Sequence, residues 1–181
     1  MLNKPVAISD TGPLISMFQS NSFDLAVTLF GQVHTSDTCV TELAKHGWQD
    51  VVDKSNTTLI THKLTDTEAV RANRLAHRIA IDRISKDPEP LSHLGEAEIM
   101  VLAQRPAFRD GVLLFDELAA RAVAKQLHLR ISGFAGILLL AAHDGLLSAN
   151  EVKKRLEDCR QQGTHYSIKF IQQVYKQAMS F

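Results

Sequence analysis

Short apolar runs alternate along the chain with longer segments in which apolar residues return every three or four positions. Pro5 to Ser9, Gln32 to Ser36, Thr57 to Thr61, Gly111 to Phe115 and Leu129 to Ser132 are runs of the first kind. Brief apolar or β-branched runs closed by turn residues predict strands, buried where the run is continuous. Helical periodicity covers Leu14 to Ser20, Phe23 to Phe30, Asp37 to a stop at Gly47, Thr65 to about Ile84, Leu94 to Gln104, Glu117 to Leu127 and Gly133 to His143. Two more helices follow, from Ser148 to near Gly163 and from Ser167 to Met179. Asp37 is read as an N-cap, and Thr65/Glu68 and Ser148/Glu151 have capping-box spacing. Lys86-Asp87-Pro88-Glu89-Pro90 breaks the helix before it.

Strands that alternate with helices predict an α/β fold, a mainly parallel central sheet flanked by helices on both faces. There are no repeats and no linker. The expected organisation is one domain over 1–147 with a C-terminal helical extension of that domain over 148–181. Val152, Leu156 and Cys159 form one apolar stripe of the extension, and Ile168, Ile171, Val174, Tyr175 and Met179 a second. These faces are expected to pack on the domain or on a second copy, as a homodimer.

Composition narrows the class further. The 181 residues suit one domain with its own core, so no disulfide or structural metal is needed for folding. Lys+Arg and Asp+Glu are each 20, so a nucleic-acid site has to be a local basic patch and not a global field. Cys39 and Cys159 form no CxxC pair and read as reduced, partly buried thiols. Met1-Leu2-Asn3-Lys4 lacks the apolar stretch of a secretory leader, and the longest apolar run, near Phe134 to Ala142, is too short to span a bilayer. A cytoplasmic protein with no membrane partner is expected. The eight histidines include no metal-ligand spacing, and His93 and His143 read as ordinary side chains.

Candidate chemistry gathers at strand ends. Asp10 follows one apolar strand and Asp116 another. Parallel sheets bind ligands outside the carboxyl ends of their strands, so neighbouring strands would aim both aspartates into one crevice. As the plainer reading, each aspartate caps the turn or helix behind it. Glu42 lies in the helix after the second strand. Glu96 and Glu98 point about 200° apart on theirs, so only one can face the crevice. Glu96, nearer the helix start and beside Gly95, is the choice, and Glu98 is left to solvent or a salt bridge.

Taken together, Ile8-Ser9-Asp10-Thr11-Gly12-Pro13-Leu14-Ile15, Val40-Thr41-Glu42-Leu43, Leu94-Gly95-Glu96-Ala97-Glu98, Leu114-Phe115-Asp116-Glu117-Leu118-Ala119-Ala120-Arg121 and Ser132-Gly133-Phe134-Ala135-Gly136-Ile137-Leu138 resemble the PIN-domain nucleases, in the branch similar to VapC toxins. The resemblance covers about residues 4 to 147 and rests on the order and spacing of the motifs. It implies a metal site of four carboxylates, Asp10, Glu42, Glu96 and Asp116, and hydrolysis of RNA by an endoribonuclease. The toxin role implies an antitoxin protein as partner. Two departures stand out. Gly12 replaces a frequent hydroxyl residue, leaving Thr11 as the nearby hydroxyl, and the pair Asp116-Glu117 leaves open which acid touches metal.

Physical chemistry agrees with the resemblance. Crowded acids raise one another's pKa values, and a hard divalent cation, Mg²⁺ or Mn²⁺, relieves the repulsion. Arg71, Arg74 and Arg78 share a helix face and could grip RNA phosphates, or simply pair with Glu68 and Asp82. Arg121 and Lys125 lie nearer the acids, with Arg121 the first candidate for a phosphate. Rival readings are weaker. Asp10-Thr11-Gly12 matches the aspartic-protease triplet but sits in a helix-rich chain, and a dehalogenase-like enzyme would want an aspartate where Gly12 stands. The rival from another class is a non-catalytic PIN-like module that binds RNA or protein.

Overall fold

The computed structural model describes residues 5–181, so the reading of Met1 to Lys4 lies outside it. Five strands form one parallel sheet: β1 (Ala7–Ser9), β2 (Val33–Ser36), β3 (Leu59–His62), β4 (Val112–Leu114) and β5 (Ile131–Ser132), in the order β3-β2-β1-β4-β5. The strand order reverses at β1. Its register with β4 sets Ser9 beside Leu114, and beyond both strands the Asp10 N–H still donates to the Leu114 carbonyl at 3.2 Å. The segments after β1 and β4 therefore leave the sheet side by side.

Alternating strand residues face opposite layers. Ala7, Val33, Leu59 and Leu114 enter one core with α1 (Thr11–Gln19), α2 (Phe23–Phe30), α8 (Phe134–His143), α9 (Ala149–Gln161) and α10 (Ile168–Ala178). Ile8, Leu113 and Phe115 enter the other with α5 (Asp66–Ala80), α6 (Leu94–Leu102) and α7 (Leu118–Gln126). Helices α3 (Asp37–Lys45) and α4 (Gln49–Lys54) fill the β2–β3 connection. Each fully buried Leu or Phe in these layers contributes about 1.5–3 kcal/mol.

Several local expectations change. Helix α1 starts at Thr11 and not at Leu14, because Asp10 itself is the N-cap and Pro13 falls in the first turn, where its missing N–H costs nothing. Ser36, not Asp37, caps α3. It ends β2 in an extended conformation and its hydroxyl accepts the Cys39 N–H at 3.3 Å. Helix α5 stops at Ala80, short of Ile84, and α4 had no sequence signal strong enough to predict it. Both capping boxes form.

The C-terminal helices share the core of α1 and α8 through Val152, Leu156, Cys159, Ile171, Val174 and Ala178. On α10 the buried stripe is Ile171–Val174–Ala178. Ile171 and Val174 are buried as the expected stripe has them, whereas Ile168, the first residue of the helix, and Met179, just past its end, are 58% and 63% exposed. The Cys159 thiol donates to the Ser16 carbonyl at 3.2 Å, and Arg155 Nη1 donates to the Ser20 and Asn21 carbonyls, each at 3.0 Å.

Candidate active site

Asp10 sits at the carboxyl end of the central strand, 7% exposed. One carboxyl oxygen, Oδ2, caps α1 by accepting the Gly12 N–H at 3.4 Å. The other, Oδ1, accepts from the Cys39 thiol at 3.6 Å. Cys39 and Glu42 are three apart on α3 and so share the face turned toward α1. The Thr11 hydroxyl donates to Glu42 Oε2 at 2.5 Å. Among the described residues, Asp10, Cys39 and Glu42 form a group whose donor atoms all lie within 4.8 Å of one another.

Helix α6 closes over this group at Gly95. A Cβ there would stand 3.1 Å from Asp10 Oδ1, 3.3 Å from Cys39 Sγ and 3.4 Å from Glu42 Oε2. Only a residue without a side chain lets the α6 backbone come so near. Glu96 follows, half-buried. Burial first, then the charges of Asp10, Glu42 and Glu117, push its carboxyl up to about 9. Burial and the Glu42 charge likewise push Asp10 up to about 6, against the Thr11 and Gly12 N–H groups, which lower it. Glu98 points elsewhere: it is half-buried and accepts from the Thr38 hydroxyl at 2.9 Å, so neither solvent nor a salt bridge holds it.

Asp116 lies outside that tight group, on a different wall. Its Oδ1 accepts the Phe134 N–H at 3.1 Å, at the start of α8, and its Oδ2 accepts the Tyr166 hydroxyl at 3.0 Å. Surrounding protein desolvates the carboxyl and raises it, although part of the residue remains open; those two donors and Arg121 pull it back down. Glu117, its neighbour, is the acid whose charge reaches Glu96, while its own carboxylate caps α7 at the Ala120 N–H, 2.5 Å away. A cleft of about 810 Å³ opens beside Asp116, between Gly12 and Ser16 of α1, the starts of α7 and α8, and residues 164–170. Gly133 forms part of its floor: a Cβ there would stand 2.5 Å from Asp116 Oδ1, 3.1 Å from the Phe115 carbonyl and 3.2 Å from Arg121 Nη1.

The basic candidates are dispersed. Arg121 lines the cleft, and its Nη1 donates to the Phe115 and Ser132 carbonyls at 2.7 and 2.8 Å, bracing the ends of β4 and β5. Lys125 is exposed one turn later. Arg71, Arg74 and Arg78 are exposed on α5, where Arg71 donates to Gln104 and Arg78 to Gln126. The suggested pairing of this stripe with Glu68 does not occur, because Arg105 holds Glu68 at 2.8 Å through both Nε and Nη2. Tyr166 was absent from the sequence reading, Cys39 entered it only as a reduced thiol, and Glu117 only as the alternative to Asp116. Cys39 could have been found from its three-residue spacing to Glu42; Tyr166 joins Asp116 across 50 residues and left no local signal.

The donor set fits a hard divalent cation. Asp10 and Glu42 offer carboxylate oxygens in one small space, and burial first, then the neighbouring acids, hold Glu96 and Asp10 above the usual carboxylate range. The Cys39 thiol is pushed far up by burial and by the Asp10 charge, so it stands there as a neutral hydrogen-bond donor.

A parallel α/β domain with acids gathered over the carboxyl end of its central strand belongs to the nuclease-type folds that work with divalent metals. The family model for a PIN domain matches residues 6–180, and the chain belongs to that family. No curated protein matches the chain. No helix among the described residues is long and apolar enough to cross a membrane.

Proposed function

We propose that this protein is a metal-dependent endoribonuclease that hydrolyses RNA phosphodiester bonds. The observation that carries the reading is the gathering of Asp10 and Glu42 within one 4.8 Å group, with Glu96 pushed up to about 9 by burial and then by the acids beside it. Asp10 and Glu42 would hold Mg²⁺ or Mn²⁺, with Glu96 and Asp116 completing the carboxylate set. The ion, when bound, supplies the Lewis acidity that favours attack of water on the phosphodiester. Thr11 orients Glu42, and Glu96, its carboxyl brought back down by a bound cation, would take the proton of the attacking water. Arg121 provides positive charge in the cleft wall for a phosphate. Lys125, Arg71, Arg74 and Arg78 extend that charge outward; the partners of Arg71 and Arg78 are neutral amides, which leave it uncompensated.

The biological setting proposed with this activity is the toxin half of a toxin–antitoxin pair in the cytoplasm, with an antitoxin protein and a second copy of the chain as partners. Outward-facing Ile168 and Met179 on α10 support a protein contact. The 1–147 segment would carry the chemistry and 148–181 would complete one wall of its cleft.

A mixed RNA pool incubated with Mg²⁺ or Mn²⁺ should be cut, and EDTA or Asp10→Asn should each abolish cutting. Cutting that survives either one removes the mechanism. One observation favours a second reading, a non-catalytic RNA- or protein-binding module: both oxygens of Asp116 are already engaged by protein donors. RNA bound but never cut, with both metals present, selects it.

A further inference from the structure

We propose that the cleft beside Asp116 seats one unpaired base of the RNA strand, stacked on the ring pair of Phe170 and Tyr166. This deepens the nuclease reading and rests on it for the identity of the strand. The volume, about 810 Å³, falls within the roughly 300–1,000 Å³ of pockets that enclose small ligands. Its walls combine apolar side chains with a few polar groups, among them Ser16, Asp116 and Arg121.

The ring pair is built rigidly. Tyr166 and Phe170 are stacked with centroids 5.5 Å apart and planes 25° from parallel. The far end of Tyr166 is anchored, its hydroxyl donating to Asp116 Oδ2 at 3.0 Å and lying 3.1 Å from Ser16 Oγ. Phe170 is 38% exposed, and no other aromatic ring among the described residues is paired with it. A fixed aromatic face at the edge of a cleft is what an unstacked base uses, whichever base it is. A base inside a duplex keeps its faces against its neighbours and cannot enter.

The position of the cleft ties this seat to the acids. Gly12 lines it while its N–H donates to the Asp10 carboxylate, and Asp116 lines it directly. A strand whose phosphate reaches the acids passes its adjoining base into the cleft. The Arg121 guanidinium, braced on two carbonyls, stands in the same wall with its charge fixed for the intervening phosphate. The C-terminal segment thereby supplies a recognition surface that the strand-end acids lack.

The test uses the full chain in EDTA, where metal-dependent cutting is silent. The probe is a short single-stranded RNA carrying one 2-aminopurine, whose emission falls when the base stacks on an aromatic ring. Native protein should quench the probe on binding. Phe170→Leu, which keeps the bulk but removes the π-face, should lose the quench and bind about tenfold more weakly, while Phe170→Tyr should behave as native. The same strand annealed into a duplex should show no quench, and its affinity should not respond to Phe170→Leu. Melting curves check that each variant is folded. Equal quench and affinity for native and Phe170→Leu, or a duplex that responds to the substitution as the single strand does, overturns the proposal. Emission unchanged on binding of RNA overturns it too and leaves the cleft to a protein segment. Quenching without any metal-dependent cutting keeps the base seat and removes the nuclease reading; cutting without quenching does the reverse.

Discussion

The Thr11 hydroxyl donates to Glu42 Oε2 at 2.5 Å, and this bond joins the first turn of α1 to α3 beside the group that Glu42 forms with Asp10 and Cys39. It fixes one acid of the cluster from the residue next to another. Thr11→Val should leave the Glu42 carboxylate without this donor. A hydrogen bond to a charged group contributes about 1.5–3 kcal/mol, so the melting temperature should drop by several degrees and Mn²⁺ should bind more weakly by titration calorimetry. Thr11→Ser should recover most of both. A Thr11→Val protein with native metal affinity would show that Glu42 needs no such orientation.

The raised carboxyls predict how the metal-free protein responds to pH. Asp10 and Glu96 hold protons in the folded chain at pH values where the unfolded chain has released them. The folded state thus binds more protons, and stability falls as pH rises, from about the unfolded values near 4 toward about 9 for Glu96. Melting temperature without metal should therefore be lower at pH 8 than at pH 6. Mg²⁺ or Mn²⁺ should raise it more at pH 8, reaching about 2.7 kcal/mol of stabilisation at a hundredfold excess over Kd. Glu96→Gln should flatten the pH response and raise the metal-free melting temperature at pH 8 while weakening metal binding. A native protein whose melting is unaffected by divalent ions at pH 8 would contradict this account.

Two glutamates two positions apart should separate cleanly. Glu96→Ala should reduce metal affinity and cleavage together. Glu98→Ala removes the acceptor of the Thr38 hydroxyl and should cost about 1 kcal/mol of stability in urea unfolding, with metal affinity unchanged. The opposite pattern would mean that α6 is rotated from the position in which Gly95 meets the cluster.

Arg121 joins two duties that substitution can divide. Arg121→Ala loses the bonds to the Phe115 and Ser132 carbonyls as well as a charge in the cleft. It should lower stability by about 1.5–3 kcal/mol and also weaken RNA binding with a shallower salt dependence. Arg121→Lys keeps the charge and should restore the salt slope more fully than the stability, because an ammonium is more strongly hydrated than a guanidinium and is held less well in this half-buried place. Unchanged salt dependence in both variants would remove Arg121 from the RNA path.

Much of this architecture was legible from residue patterns. Short apolar or β-branched runs located the five strands, the 3.6-residue period most helices, and Ser/Thr with Glu three residues on marked α5 and α9. The same helical period separated Glu96 from Glu98, which the fold turns toward Asp10 and Thr38 respectively. Faces of regular elements are set by backbone repetition, and a sequence carries that repetition openly. The turn between β4 and α7 has no repetition. Which of Asp116 and Glu117 faces the cluster depends on its local dihedrals and on donors far away in sequence, the Phe134 N–H and the Tyr166 hydroxyl. The exposure of Ile168 and Met179 was illegible for a related reason, since it depends on where α10 begins and ends against α8 and α9.

Gly133 has a consequence for how this protein tolerates change. Its backbone is extended, with φ −141°, a conformation open to every residue, so space and not dihedral freedom excludes a side chain. Even alanine would press on Asp116, the Phe115 carbonyl and Arg121 together. A saturation scan scored by activity would rank this position among the acids, although it has no side chain with which to act on a substrate. Intolerance there would measure crowding around the cleft, and only a parallel scan scored by folded abundance would tell it apart from chemistry.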